Sequence, residues 1–166
     1  MDLSNVKLLV TDVDGVLTDG KIYISDDGGS FKSYSIYDGL GLKLLMDHEI
    51  RVVIISSSKS ESVRHRANSL GIENVYTGIV NKSDLLKKIC TEMGVLREEV
   101  VYVGDDLVDL KCMDDVGYPI AVKNAVKEVK LKSVYITSFR GGEGAIREVC
   151  EIILKAKKIN YIKYFE

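Results

Sequence analysis

Short apolar runs alternate with amphipathic segments along almost the whole chain. The apolar runs are rich in Val and Ile and are continuous rather than alternating, which is typical of strands that are covered on both faces. This order predicts an α/β fold, a doubly wound (Rossmann-like) parallel sheet with helices on both faces. The apolar runs lie at 6–11, 51–56, 74–78, 100–104, 118–122 and 134–138, and the amphipathic segments at 41–49, 61–71, 82–94, 107–117, 125–133 and 144–158.

One segment, 21–37, breaks this rhythm. Two stretches of alternating apolar and polar residues, Lys21 to Ser25 and Ser30 to Tyr37, flank the turn sequence DDGG. This combination predicts a small β-hairpin inserted after the first strand. The chain has a single proline and no low-complexity linker, so we expect one domain over residues 1–166, with a C-terminal tail over 156–166.

The composition limits the partners that the protein can have. Hydrophobic residues make up 46% of the chain, charged residues 29%, and the formal net charge is −2. Because this balance gives no general attraction for nucleic acid or an anionic membrane, we expect neither as a partner, and an anionic substrate must be held locally. The tail KAKKINYIKYFE is expected to pack on a neighbouring subunit through its apolar and aromatic residues, Ile159, Tyr161, Ile162 and Tyr164.

Cysteine spacing and the N-terminal sequence bear on location. Cys90, Cys112 and Cys150 lie far apart, without the close pair that a zinc or redox motif would need. No basic region followed by an apolar core opens the chain, and no apolar run approaches the roughly 18 residues of a membrane span. We therefore expect a protein of the cytoplasm.

Polar residues cluster where the predicted strands end. The sequences TDVDG, SSSK, NKSD and GDDLVD each follow one of these strands. Because the carboxyl ends of parallel strands meet at one edge of a doubly wound sheet, where ligands bind, we expect these residues to share a pocket. The pocket would contain Asp12, Asp14, Ser56, Lys82, Asp105, Asp106 and Asp109.

Such a pocket predicts phosphoryl chemistry. Several carboxylates need a cation, and a ligand set made only of oxygen atoms favours Mg²⁺ over zinc. The Lys82 amine, the Ser56 hydroxyl and backbone N–H groups near Gly15 could donate hydrogen bonds to phosphate oxygens. One aspartate beside the metal could attack phosphorus, while the second, two residues further on, donates and later removes a proton.

These residues also carry a family resemblance. DVDGVLTDG, the hydroxyl of Ser56, Lys82 and VGDDLVD resemble, in order, the four motifs of the haloacid dehalogenase superfamily of phosphohydrolases. Within that superfamily the chain is most similar to the capless 3-deoxy-D-manno-octulosonate 8-phosphate phosphatase group and to its relatives that act on nine-carbon, sialic-acid-type sugar phosphates. This closer match rests on DGVLTDG, YDGLGLKLL, RANSLGI, VYVGDDLVDL and RGGEGAIREVCEIIL.

The resemblance implies a role for each residue of the pocket. Asp12 would be the nucleophile that forms an aspartyl-phosphate, and Asp14 the general acid and base. Mg²⁺ would be held by Asp12, by the backbone carbonyl of Asp14 and by Asp105. The remaining roles would be phosphate binding for Ser56 and Lys82, and support of the metal site for Asp109 and Asp106.

The resemblance also implies a substrate and an assembly. The group hydrolyses a 3-deoxy-2-keto sugar acid phosphate in lipopolysaccharide biosynthesis and forms homotetramers, in which hairpins like 21–37 pair around a central axis and a neighbouring subunit closes the site. Asp38 would lie on the substrate side, and Arg140 and Arg147 could reach a substrate carboxylate, including one in the active site of a neighbouring subunit. Ser57 and Ser58 stand where many octulosonate phosphatases have Gly-Arg, so the sugar stays open between eight and nine carbons.

Two other classes of function remain beside a phosphatase of an octulosonate or nonulosonate phosphate. A non-catalytic partner domain associated with acylneuraminate cytidylyltransferase is one, although intact Asp12, Asp14, Lys82 and Asp105 favour an enzyme. A response-regulator receiver also combines aspartate, Mg²⁺, a hydroxyl residue and lysine on a parallel sheet. Receivers lack an Asp-x-Asp-Gly sequence at the first strand, which disfavours this interpretation.

Overall fold

A parallel six-stranded sheet forms the centre of the protein. The computed structural model describes residues 1–164. All neighbouring strands of the sheet are parallel, and the strand order is β5-β4-β1-β6-β7-β8. The sheet strands are β1 (Leu8–Thr11), β4 (Arg51–Ile55), β5 (Asn74–Tyr76), β6 (Val100–Gly104), β7 (Tyr118–Ala121) and β8 (Tyr135–Ile136), and a separate antiparallel pair consists of β2 (Tyr23–Ile24) and β3 (Ser30–Phe31).

Six α-helices accompany the strands within residues 1–164. Every residue of β1 and β6 is buried, as the continuous apolar sequences predicted for strands covered on both faces. The predicted fold class, a doubly wound parallel sheet with a small hairpin after the first strand, is confirmed. The helices are α1 (Ile36–Asp47), α2 (Glu61–Leu70), α3 (Lys82–Met93), α4 (Leu110–Asp114), α5 (Lys127–Lys132) and α6 (Ala145–Ala156).

The hairpin is shorter than its sequence predicted. Each of its strands has two residues, and the alternating stretch that was expected to reach Tyr37 ends earlier because α1 begins at Ile36. The Ser35 side chain caps this helix by accepting a hydrogen bond from the N–H of Tyr37 at 3.2 Å. Local capping therefore outweighs the strand pattern at this point.

Two glycines, Gly39 and Gly41, lie inside α1. A Cβ atom at Gly41 would come within 3.1 Å of the Arg147 Cα atom, and one at Gly39 within 2.4 Å of the Arg66 guanidinium. The absence of these side chains lets α1 pack closely against α6 and α2. The helix therefore tolerates the low helix propensity of glycine in exchange for close packing.

The C-terminal tail makes contacts within its own chain. Ile159 and Tyr161 are partly buried and pack against the hydrophobic core, whereas Ile162 is exposed. Residues 165–166 lie outside the described residues, and packing of the tail on a neighbouring subunit stays a prediction. Across residues 1–164, no helix has the length and apolar character to cross a membrane.

Candidate active site

The loop after β1 brings two aspartates to the carboxyl edge of the sheet. The Asp12 N–H donates to the carbonyl of Val103 in the adjacent β6 at 3.0 Å, and the Asp12 side chain is buried. Gly15 has a φ of +85°, and a Cβ atom there would lie 2.0 Å from Oδ2 of Asp105. Only glycine therefore lets this loop approach the carboxylate that follows β6.

Lys82, the first residue of α3, connects two carboxylates. Its Nζ atom lies 2.9 Å from Oδ1 of Asp12 and 2.9 Å from Oδ1 of Asp109, and the residue is 3% exposed. Burial opposes the charge on this amine, but the nearby charges of Asp12 and Asp109 outweigh it and raise the pKa of Lys82. A buried lysine is tolerated here because both neighbours carry compensating charge.

Asp109 organises the region behind the first loop. It is fully buried, and its Oδ1 atom accepts hydrogen bonds from Lys82 and from the hydroxyl of Tyr102, which lies at 2.7 Å. Its Oδ2 atom accepts from the N–H groups of Asp105 at 3.0 Å and Asp106 at 3.4 Å. Because both oxygens are engaged, Asp109 supports its neighbours and has little capacity left for a metal ion.

The neighbouring carboxylates fit a divalent cation. Oxygen atoms of Asp12, Asp105 and Asp109 all lie within 4.8 Å of one another, and Oδ1 of Asp105 is buried without a hydrogen-bond partner among residues 1–164. Burial and the charge of Asp109 raise the pKa of Asp12 to about 7, and burial and the charge of Asp12 raise the pKa of Asp105 to about 8. A hard cation such as Mg²⁺ would satisfy the unpartnered oxygen and neutralise this repulsion.

A cleft opens directly over these carboxylates. Its volume is about 250 Å³. Ser56, which we expected to bind phosphate, is fully buried behind the cleft, and its hydroxyl accepts a hydrogen bond from the N–H of Ser58 at 3.1 Å. The cleft is lined by Asp12, Asp14, Gly20, Ser57, Asp105, Asp106 and Val108.

Three residues that we associated with the substrate do not line this cleft, and their contact with a substrate stays a prediction. Asp38 is buried and accepts a hydrogen bond from the N–H of Arg147 at 2.8 Å, so it caps the start of α6, and burial raises its pKa to about 6. The guanidinium of Arg147 donates to Glu151 at 2.5 Å. Arg140 is exposed, and none of the three lines the cleft.

The sequence analysis missed three residues that the structure places beside the site. Tyr102 lies within the apolar run of β6 and resembled a core residue. Asn124 follows β7, and its side-chain amide donates to the carbonyl of Gly15 at 2.9 Å. Because ligand sites lie at the carboxyl ends of parallel strands, its place after β7 was a signal in the sequence. Lys32, just after β3, forms an ion pair with Asp14.

The fold and the site define an α/β protein with a carboxylate-lined, cation-suited cleft at the carboxyl edge of its sheet. The model of the haloacid dehalogenase-like hydrolase family matches residues 55–148. The 3-deoxy-D-manno-octulosonate 8-phosphate phosphatase of Yersinia pestis is 38% identical over 154 residues, with 93% of this chain and 82% of the relative covered. The phosphatase of the same name from Escherichia coli K12 is 41% identical over 157 residues, with 92% and 81% covered.

Solved structures agree with the sequence comparisons. One is that of 3-deoxy-D-manno-octulosonate 8-phosphate phosphatase from Moraxella catarrhalis in complex with a magnesium ion, a phosphate ion and a KDO molecule. It superposes with a TM-score of 0.94 at 38% identity, covering 99% of this chain and 94% of the other. The cobalt-bound deoxy-D-mannose-octulosonate 8-phosphate phosphatase of Haemophilus influenzae gives a TM-score of 0.93 at 37% identity, with 99% of both chains covered. The chain therefore belongs to the haloacid dehalogenase-like hydrolase family, and the resemblance inferred from its motifs is confirmed.

Proposed function

We propose that the protein is a Mg²⁺-dependent phosphatase that hydrolyses 3-deoxy-D-manno-octulosonate 8-phosphate through an aspartyl-phosphate intermediate. One observation carries the proposal: Lys82 joins Asp12 to Asp109 beside the unpartnered oxygen of Asp105, under an open cleft. Relatives at 38% and 41% identity that are named for this substrate support the choice of sugar phosphate.

The chemistry follows from the positions of the two aspartates of the first loop. A carboxylate oxygen of Asp12 attacks phosphorus, the bond from phosphorus to the sugar oxygen breaks, and Asp14 donates a proton to that oxygen. Water then attacks the phosphorus of the aspartyl-phosphate, and Asp14 accepts a proton from the water. The bond from phosphorus to the Asp12 oxygen breaks, which restores the Asp12 carboxylate and releases inorganic phosphate. Lys82 holds the Asp12 carboxylate at 2.9 Å, and the third hydrogen of its ammonium group would donate to an oxygen of the phosphoryl group bound to Asp12.

The remaining site residues have supporting roles in this proposal. Asp12, Asp105 and the backbone carbonyl of Asp14 would hold Mg²⁺, which supplies positive charge to the phosphoryl oxygens when it is bound. Asp109 orients Lys82 and the N–H groups of the loop after β6. Asp106, whose side chain accepts from the N–H of Leu107 at 2.7 Å, shapes the cleft wall. Ser56, buried next to the cleft-lining Ser57, would donate its hydroxyl to a phosphate oxygen.

A nine-carbon, sialic-acid-type 9-phosphate is the second candidate substrate. Ser57 lines the cleft, and neither Ser57 nor Ser58 matches the Gly-Arg pair expected after this strand. Among the described residues, those that line the cleft include no arginine, so this wall does not carry the cationic group expected of an octulosonate phosphatase. The two candidate functions therefore differ in the length of the sugar and share the same reaction type.

Assembly, domain organisation and location belong to the same proposal. We propose one domain over residues 1–166, a homotetramer built around the hairpin, and a cytoplasmic role in lipopolysaccharide biosynthesis. One core of buried residues from Leu3 to Leu154 supports the single domain, and exposed apolar residues on the hairpin support assembly through it.

Light scattering of the intact protein and of a variant without the hairpin tip, 26–29, tests the proposed assembly. If both proteins are active monomers, an active site shared between subunits is contradicted.

A substrate panel tests the proposed activity. Phosphate release would be measured with Mg²⁺ from octulosonate 8-phosphate, nonulosonate 9-phosphates and hexose phosphates. We expect a strong preference for one keto sugar acid phosphate. A preference for the nine-carbon substrates would support the second candidate, whereas no turnover of any substrate would favour the non-catalytic partner domain.

A further inference from the structure

Lys32 is turned inward on a hairpin that is otherwise exposed. Its ammonium group forms an ion pair with Oδ1 of Asp14, and its side chain is only 12% exposed. The apolar residues of the same hairpin point to solvent: Ile22 is 76%, Ile24 72% and Phe31 58% exposed. The hairpin therefore covers a charged side chain and leaves its hydrophobic ones uncovered, which is the reverse of what a purely structural attachment would require.

The alternation of the extended backbone explains this arrangement. Successive side chains of an extended segment point to opposite sides, so Lys32 faces the body of the protein when Phe31 faces away. Tyr34, two residues further on, is partly buried against the core, which is consistent with the same side. The direction of Lys32 is thus set by the chain on either side of it.

A second contact ties the hairpin to the loop that carries Asp14. The hydroxyl of Tyr23 donates to Oδ2 of Asp19 at 2.6 Å, and the Tyr23 ring stacks on Phe31 with 5.1 Å between ring centroids. Both strands of the hairpin are therefore linked to one another and to this loop. The backbone at Lys32 is therefore held in place independently of the ion pair that the Lys32 side chain forms.

We propose that Lys32 is a positioning residue: by holding Oδ1 of Asp14, it turns the other carboxyl oxygen, which carries the exchanged proton, toward the leaving oxygen of the substrate. This inference rests on the proposed phosphatase function. The Asp14 side chain is 41% exposed at the cleft, and among the described residues its carboxylate has no other hydrogen-bond partner. An unrestrained carboxylate at that position would sample several rotamers, whereas a charge-assisted contact with a covered amine selects one.

Positioning and substrate binding by Lys32 have different kinetic consequences. If Lys32 acts through Asp14, its loss slows the step that needs proton transfer and leaves substrate affinity unchanged. If Lys32 instead contacts the anionic substrate, its loss raises KM. The leaving group gives a further distinction, because a sugar alkoxide requires protonation and p-nitrophenolate does not.

Steady-state kinetics of three lysine variants with Mg²⁺ test the proposal. Lys32→Met keeps the length of the side chain and removes its charge, Lys32→Arg keeps the charge, and Lys21→Met is a control on the same hairpin whose lysine is 73% exposed and does not contact Asp14. We expect Lys32→Met to lower kcat for the sugar phosphate by about tenfold or more with unchanged KM. The loss should be smaller for p-nitrophenyl phosphate, and Lys32→Arg should restore most of the activity.

A double variant separates positioning from a general loss of structure. Because Lys32 acts through Asp14, adding Lys32→Met to Asp14→Asn should lower kcat little further, whereas independent roles would give additive losses. An increase in KM alone, additive losses, or wild-type kcat in Lys32→Met would each overturn the proposal while leaving the phosphatase function intact. A wild-type protein that releases no phosphate would contradict the phosphatase function itself.

Discussion

Asp109 should be the residue of the site whose replacement destabilises the protein most. In Asp109→Asn, one carboxylate oxygen becomes an NH₂ group. Each oxygen accepts two hydrogen bonds: Oδ1 from Lys82 and Tyr102, and Oδ2 from the N–H groups of Asp105 and Asp106. Whichever oxygen is replaced, the new NH₂ group faces two hydrogen-bond donors and cannot accept from either of them.

The magnitude follows from burial. Asp109 is fully buried and Lys82 is 3% exposed, so the lost charge leaves Lys82 with Asp12 as its remaining partner in a region without solvent. Breaking a buried ion pair from one side costs about 3–5 kcal/mol. Removal of one neutral donor, as in Tyr102→Phe, costs only about 1 kcal/mol because the Lys82 contact is kept.

Urea unfolding followed by circular dichroism, with EDTA present to remove metal ions, measures both variants. We expect Asp109→Asn to lower the free energy of unfolding by about 3 kcal/mol or more, and Tyr102→Phe by about 1 kcal/mol. A free energy of unfolding of Asp109→Asn within about 1 kcal/mol of the wild type would refute the reasoning that a satisfied buried carboxylate organises this region.

Two further predictions concern the cap of α6 and the first loop. Burial raises the pKa of Asp38 to about 6, above its ordinary value of 3.8, so the free energy of unfolding of the wild type falls as the pH rises through 6. Relative to the wild type, the free energy of unfolding of Asp38→Asn should therefore rise by roughly 1 kcal/mol between pH 5 and pH 8, as measured by urea unfolding. A difference between the two proteins that does not depend on pH would contradict this. Gly15→Ala should weaken Mg²⁺ binding in calorimetry, because its Cβ atom would lie 2.0 Å from Oδ2 of Asp105; unchanged affinity would contradict the close approach.

Hydrophobic patterning predicted the fold well because the strands are covered on both faces. Buried parallel strands require continuous apolar runs, and the carboxyl ends of such strands must meet at one edge of the sheet. These two constraints are sufficient to place Asp12, Lys82 and Asp109 together, without information about side-chain conformation. The structure indeed has Lys82 within 2.9 Å of both carboxylates.

Contacts that depend on tertiary packing could not be read from the pattern. Tyr102 looked like a core residue because its hydroxyl is a single polar atom within the apolar sequence VVYVG, and its partner lies seven residues further on. Gly39 lies before the amphipathic segment predicted at 41–49, yet α1 already includes it, because a side chain there would collide with Arg66 of α2. Ser35, immediately before α1, was a local capping signal that the alternating pattern concealed.

The direction of Lys32 was hidden for a different reason. The alternating hairpin sequence divides side chains into two sets, but it does not identify which set faces the protein when both faces carry apolar and polar residues. The ion pair with Asp14 and the partial burial of Tyr34 resolve this choice only in three dimensions. The contact of Asp38 with α6 was hidden similarly, because it joins a carboxylate in the first turn of α1 to the N–H of Arg147, which is distant in the sequence.

The most direct test of the central claim is Mg²⁺-dependent phosphate release from octulosonate 8-phosphate by the wild type and by Asp12→Asn. The account predicts turnover that requires Mg²⁺ in the wild type and no turnover in a folded Asp12→Asn variant, because the nucleophile is lost while Lys82 and Asp109 stay paired. Phosphate release by Asp12→Asn at the wild-type rate, or wild-type turnover that persists in EDTA, would contradict it.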